Sequence, residues 1–100
     1  VTYRFLPEAE AEYLNAISFY EERRPGLGAG LIQEFERTMQ LASERPTVGR
    51  IVSGQRIRRL DLSRFPYAIF FHLLADGALQ VTAFAHNRRR PGYWLGRGAG

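Results

Sequence analysis

A chain of 100 residues that is 45% hydrophobic and 13% aromatic is sized for one domain, able to bury roughly 60–70% of its unfolded surface without covalent staples. It has no cysteine, which excludes disulfides and thiolate metal sites. Its longest apolar stretch, Pro66 to Ala75, contains His72 and is too short to cross a bilayer. The formal net charge of +4 hides an asymmetry. Residues 1–46 carry five arginines against eight glutamates, a net of −3, and residues 47–100 carry nine arginines against Asp61 and Asp76, a net of +7. That division points to an anionic partner for the second half. The opening Val1 to Glu10 is polar and acidic, unlike a secretory leader, so a cytoplasmic location without membrane contact is expected.

In chain order, Thr2 to Phe5 alternates as a short first strand. Pro7 then opens a helix whose first turn holds Glu8 and Glu10, matching the positive end of the helix dipole. Ala9, Tyr13, Ala16, Ile17 and Tyr20 recur at three- and four-residue steps and mark one apolar face. Pro25-Gly26 ends it. A second helix is predicted from about Leu27 to Arg45, with Leu31, Phe35, Met39 and Ala42 as its stripe and Pro46 as its stop. The tight break between the helices makes them an antiparallel hairpin. Thr47 to Gly54, with Gly49, Ser53 and Gly54, is expected to be an exposed loop bearing Arg50.

Arg56 to Leu62 follows as a half-buried strand. Tyr67, Ile69, Phe71 and Leu73 alternate with Ala68, Phe70, His72 and Leu74, both sets largely apolar, as in a central strand covered on each face. Asp76-Gly77 is a two-residue hairpin signal, and Leu79, Val81, Ala83 and Ala85 alternate with Gln80, Thr82, Phe84 and His86 in a last strand. The expectation is one α+β domain over residues 1–100 in the order βααβββ, a helical hairpin on an antiparallel sheet, with the tail loose after Leu95.

At the end of the last strand stand His86, Arg88, Arg89 and Arg90, followed by Tyr93 and Trp94. This topology is expected to bring them near Arg56, Arg58 and Arg59 as a basic patch with aromatic edges. Such a patch suits RNA, through phosphate contacts and base stacking, or an acidic protein surface with an aromatic hot spot. For Trp94 the competing role is a lid over the core, and for His86 a hydrogen-bonded structural residue. His72 and His86 are not spaced to share a metal, so no metal site and no cofactor are expected. There is no glycine-rich phosphate loop and no nucleophile elbow. The helical glutamates are assigned no chemistry.

Phe5, Pro7 and Ala9, Pro25-Gly26-Leu27-Gly28, Pro46 with Gly49 and Arg50, Arg58-Arg59-Leu60, Phe65-Pro66-Tyr67, and His86, Arg88, Arg89, Pro91, Tyr93, Trp94 and Arg97 together resemble the RelE/ParE family of bacterial type II toxins. The resemblance spans nearly the whole chain in order. It implies a toxin held inactive in a hetero-oligomer by a cognate antitoxin encoded beside it, in a plasmid-stabilisation or stress-response module. One branch resembles RelE, a ribosome-dependent nuclease that cuts messenger RNA. The other resembles ParE, which binds and poisons DNA gyrase.

In the nuclease branch, cleavage through the 2′-hydroxyl needs a proton acceptor, cations for the phosphorane and help for the leaving oxygen. Its candidate catalytic set here is Arg58, Arg88 and Tyr93. Where that branch carries a basic residue after the central-strand aromatic, this chain has Ala68. Phe65-Pro66-Tyr67 and the Tyr93-Trp94 pair look more like the ParE branch, which is the preferred assignment. The ribosome-dependent nuclease is the alternative, and a non-toxic RNA-binding module the third. Target contact is expected through Arg58, Arg59, His86, Arg88, Arg89, Tyr93 and Trp94. The antitoxin is expected to lay an amphipathic helix over the hairpin at Tyr13, Ile17, Tyr20, Leu31 and Phe35, and to send an extended acidic segment to the basic region.

Overall fold

The computed structural model describes residues 3–52, 54 and 56–98. Thr2, expected to begin the first strand, and Ser53 of the expected loop lie outside them. The described elements are β1 (Tyr3–Phe5), α1 (Pro7–Arg23), α2 (Leu27–Glu44), β2 (Arg50–Ile51), β3 (Arg58–Asp61), β4 (Tyr67–Leu73) and β5 (Leu79–His86). The five strands form one sheet in the order β1-β5-β4-β3-β2, and the two helices pack on one of its faces.

Pro25 and Gly26 break the helices apart, Gly26 taking a left-handed conformation (φ 96°) that suits glycine. The first turn of α2 contains no acidic residue of its own. Its unpaired amides are met from α1: the Glu21 carboxylate accepts from the N–H groups of Gly26 (3.1 Å) and Gly28 (3.0 Å). A side chain at Gly28 would press on Glu21 and the Ile17 carbonyl, so glycine there lets the helices close.

Below the hairpin, Tyr13 and Ala16 of α1 and Leu31, Phe35 and Met39 of α2 meet Ile69 and Phe71 of β4 and Val81 and Phe84 of β5. Phe5 stacks on both Tyr13 (5.3 Å between centroids) and Phe35 (5.5 Å). Leu31, Phe35, Ile69 and Phe71 are fully buried, each contributing roughly 1.5–3 kcal/mol. A second, smaller cluster covers the opposite face of the sheet, with Phe70 against Trp94 (4.7 Å) over Ala68, Ala83 and Ala85. The central strand β4 is thus apolar on both faces for a structural reason.

Three features depart from the sequence-based expectation. The sheet is mixed, because β1 runs parallel to β5 while all other pairs are antiparallel. Arg50 and Ile51, expected in a loop, pair with Arg59 and Arg58 as a two-residue edge strand. Gly49 permits this approach: its φ is +82°, and a Cβ would stand 2.5 Å from the Arg59 carbonyl oxygen.

The third departure is in β5, whose alternation does not run through. Phe70 pairs with Ala83 and Phe71 with Val81, leaving Thr82 as the extra residue of a bulge. Leu79 and Val81 therefore face the helices, whereas Ala83 and Ala85 face the other side, and Phe84 returns to the main core.

Glu34, one of the helical glutamates assigned no chemistry from sequence, is only 5% exposed. It accepts from the backbone N–H of Ser63 and from its hydroxyl (2.8 Å), and from the Arg64 N–H (3.2 Å), fastening α2 to the turn before β4. Burial works to raise its pKa, but these donors and the Arg64 guanidinium outweigh burial and hold it below the ordinary 4.5.

Glu34→Ala is expected to cost about 2–3 kcal/mol in a urea titration, because it strands buried donors. Since the folded value is depressed, the contribution of Glu34 is complete above its unfolded value and is lost as pH falls through the folded one. Glu34→Gln is therefore expected to flatten the acidic limb of the stability curve. Gly49→Ala is expected to destabilise by at least about 1–2 kcal/mol from the left-handed backbone alone, read by the same titration.

Candidate functional site

Strand parity decides which arginines meet. Arg59 pairs with Phe70, whose ring faces away from the helices, and Arg50 pairs with Arg59. Both guanidinium-bearing residues thus belong to the outer face of the sheet. The turn after β5 brings Arg89 and Arg90 to the same place. These four arginines surround a cavity of about 260 Å³ whose floor includes Ala68, Phe70 and Trp94.

Arg59 is the most constrained of them. It pairs with Asp61 at 2.8 Å, reaches Asn87 at 3.3 Å and lies 5.5 Å over the Phe70 ring. Arg89 and Arg90 are exposed, and neither has a carboxylate partner among the described residues. Arg89 lies over the Tyr93 ring at 3.8 Å, a contact worth about 0.5–1 kcal/mol at an exposed site.

Several predicted site residues stand elsewhere. Arg58 pairs with Phe71 and so belongs to the helix side of the sheet, where its guanidinium donates to the carbonyls of Thr47 (2.8 Å) and Gly49 (3.0 Å). It pins the loop before β2 and does not join the patch. Arg56 and Arg88 are exposed and do not line the cavity. His86 is half-buried at its rim with its ring edge-on to Tyr67 (5.1 Å). Its Nδ1 accepts from the Arg88 N–H at 3.0 Å, a turn-forming bond.

Trp94 is only 4% exposed. It walls the cavity and covers the second core, so it offers no free face for stacking. Tyr93 is half-buried, and its hydroxyl donates to Glu12 at 2.7 Å. Burial, and then the adjacent Glu12 carboxylate, push its pKa up. The phenol therefore stays protonated and is unsuited to accept a proton.

On the hairpin, Tyr13, Leu31 and Phe35, expected to meet an antitoxin, point into the core with 8%, 0% and 0% exposure. Ile17 and Tyr20 are partly buried against the same core. The apolar side chains that the hairpin does expose are Leu14, Phe19, Ile32 and Leu41.

Two residues at this end of the molecule, Glu12 and Arg97, have no site role in the sequence-based expectation. Glu12 of α1 is bound by Arg97 (2.9 Å), itself only partly exposed. The signal for Glu12 was present: it stands three residues after Ala9 and four before Ala16, inside the buried stripe. Among the described residues there is no acidic or histidine cluster able to hold a metal. Among the same residues, no helix is long and apolar enough to cross a membrane.

No curated protein matches the sequence. Among solved structures, a chain described as "Chromosomal ParDE TA system from P. aeruginosa" superposes with a TM-score of 0.70 at 16% identity, over 86% of this chain and 95% of that one. At that identity the likeness is one of fold. The family described as "ParE toxin of type II toxin-antitoxin system, parDE" matches residues 3–91. With nine-tenths of its length covered by that family, the chain belongs to the ParE toxins of type II toxin–antitoxin systems.

Proposed function

We propose that this ParE-family protein arrests growth by binding and poisoning DNA gyrase through the outer face of its sheet, that it acts in the cytoplasm, and that a cognate antitoxin neutralises it. The observation that carries the proposal is the gathering of Arg50, Arg59, Arg89 and Arg90 around one apolar-floored cavity. A cationic rim in which only Arg59 has a carboxylate partner among the described residues, set around an apolar floor, is suited to recognition of an acidic surface, with charge setting the encounter rate and the floor the residence.

The same face is poorly equipped to cut RNA. The Tyr93 hydroxyl is committed to Glu12, Arg58 serves the opposite side of the sheet, and Ala68 supplies no cation to the floor. Binding without catalysis is the chemistry these groups support.

For the antitoxin, the proposal places an amphipathic helix on the exposed Leu14, Phe19, Ile32 and Leu41, with the partly buried Ile17 and Tyr20 at its margin. An acidic extended segment then covers the arginine face. The core positions Tyr13, Leu31 and Phe35 support the contact surface from beneath.

Purified protein added to gyrase and plasmid is expected to block supercoiling and accumulate cleaved plasmid, while translating ribosomes probed by primer extension show no new message ends. Message cuts without effect on gyrase would overturn the assignment. Arg89→Ala combined with Arg90→Ala is expected to weaken inhibition at least about tenfold, with a shallower salt dependence. Arg88→Ala should have the smaller effect, because Arg88 stands outside the cavity.

A further inference from the structure

We propose that Glu12 is a positioning residue for the target-binding face, acting through Tyr93 and Arg97 to hold Arg89 and Trp94 in place. This rests on the proposal above in one respect, that Arg89 meets the target.

The argument begins at the edge of β5. Strand β1 ends at Phe5, and its last backbone bond to β5 is from the Leu6 N–H to the Val81 carbonyl. Beyond Val81 no strand of the described residues lies on that side. The bulge at Thr82 leaves backbone groups there to be satisfied by other means. The Thr82 carbonyl accepts from Arg97 (3.2 Å), and the Phe84 N–H donates to Glu12 (3.1 Å).

Glu12 does more than close the edge. Its two oxygens also take the Tyr93 hydroxyl (2.7 Å) and both terminal nitrogens of Arg97 (3.0 and 2.9 Å). Burial works to raise the carboxyl's pKa, but the Arg97, Tyr93 and Phe84 donors outweigh burial and hold it below its ordinary value. These donors favour the carboxylate over the neutral acid. One carboxylate on α1 thus fixes three points on β5 and the terminal segment.

The functional consequence comes from what those points carry. The Tyr93 ring, held at its hydroxyl end, supports the Arg89 guanidinium, which has no carboxylate of its own among the described residues. Trp94, the next residue, forms the cavity wall against Phe70. If the carboxylate is removed, both lose their fixed reference, although the main core beneath the helices is untouched.

The test uses the full chain with Glu12→Ala, Arg89→Ala and the double variant, each first shown to melt cooperatively. Tyr93→Phe, which removes a single link and keeps the ring, serves if Glu12→Ala does not fold. Trp94 is the only tryptophan, so acrylamide quenching of its fluorescence reports directly on the terminal segment. Loss of the carboxylate, or of the Tyr93 link, is expected to raise the quenching constant about twofold or more by opening a low-stability segment. Unchanged quenching in the folded variants would refute the proposal whatever the target is.

For the effect on function, Glu12→Ala is expected to weaken inhibition of supercoiling about tenfold, the scale of a lost charged hydrogen bond. The double variant should then lose less than the product of the two single losses, because part of the effect of Glu12 passes through Arg89. Losses that multiply would instead show two independent roles and sink the idea. Should the unmodified toxin arrest growth and leave supercoiling alone, the gyrase assignment fails, and the same variants compared by growth arrest still judge Glu12.

Discussion

Strand β5 has to satisfy neighbours that make incompatible demands. Over its first three residues it pairs with β1 on one side, and along its length it pairs with β4 on the other. One of its faces meets the helices and the opposite face meets Trp94. A strictly alternating strand would send Phe84 away from Tyr13 and Phe35, with which it now makes edge contacts at 5.3 and 6.0 Å. The single extra residue at Thr82 reconciles these demands by switching sides halfway. It gives the main core Val81 and Phe84, and it gives the outer face two alanines small enough for an indole to lie over. The cavity floor exists because of that slip.

How much of this was written in the sequence depends on the scale of the signal. Both helices, their Pro-Gly break, the covered central strand and the Asp76-Gly77 turn followed from periodicity and turn chemistry acting over many residues. The direction of β1 did not, because alternation in Tyr3 to Phe5 says which face is buried and nothing about the neighbour's polarity. The two residues of β2 carry too short a pattern, and both are exposed. A bulge is a change of phase that needs the partner strand's register to detect. Strand parity governs the candidate site in β3, where Arg58 and Arg59 are adjacent in sequence and therefore belong to opposite faces. The turn arginines Arg89 and Arg90 were legible as a cluster, but the contribution of Arg50 depended on an edge strand that was not anticipated.

The opposed charges of the two halves have an internal use as well as an external one. Glu12 and Glu34 are acidic residues of the first half turned inward, and they meet Arg97 and the Ser63–Arg64 turn of the second. Arg4 and Asp76 make the reverse pairing across the β1 side of the sheet. Asp61 holds Arg59 on the outer face. What is left without an acidic partner at the cavity rim is a subset of the arginines, and that subset, more than the net charge, defines where an acidic surface is attracted.

The parallel pairing of β1 with β5 has a kinetic meaning. Tyr3 stands beside Leu79, so the first strand cannot find its place until most of the chain has been synthesised. Contacts between such distant segments carry a large loop-closure cost and form late. The helical hairpin, built from neighbouring residues and capped from within by Glu21, closes at a smaller loop cost. In a growing polypeptide the helices precede the β5 turn and its arginines, so the cationic rim comes together only near the end of synthesis.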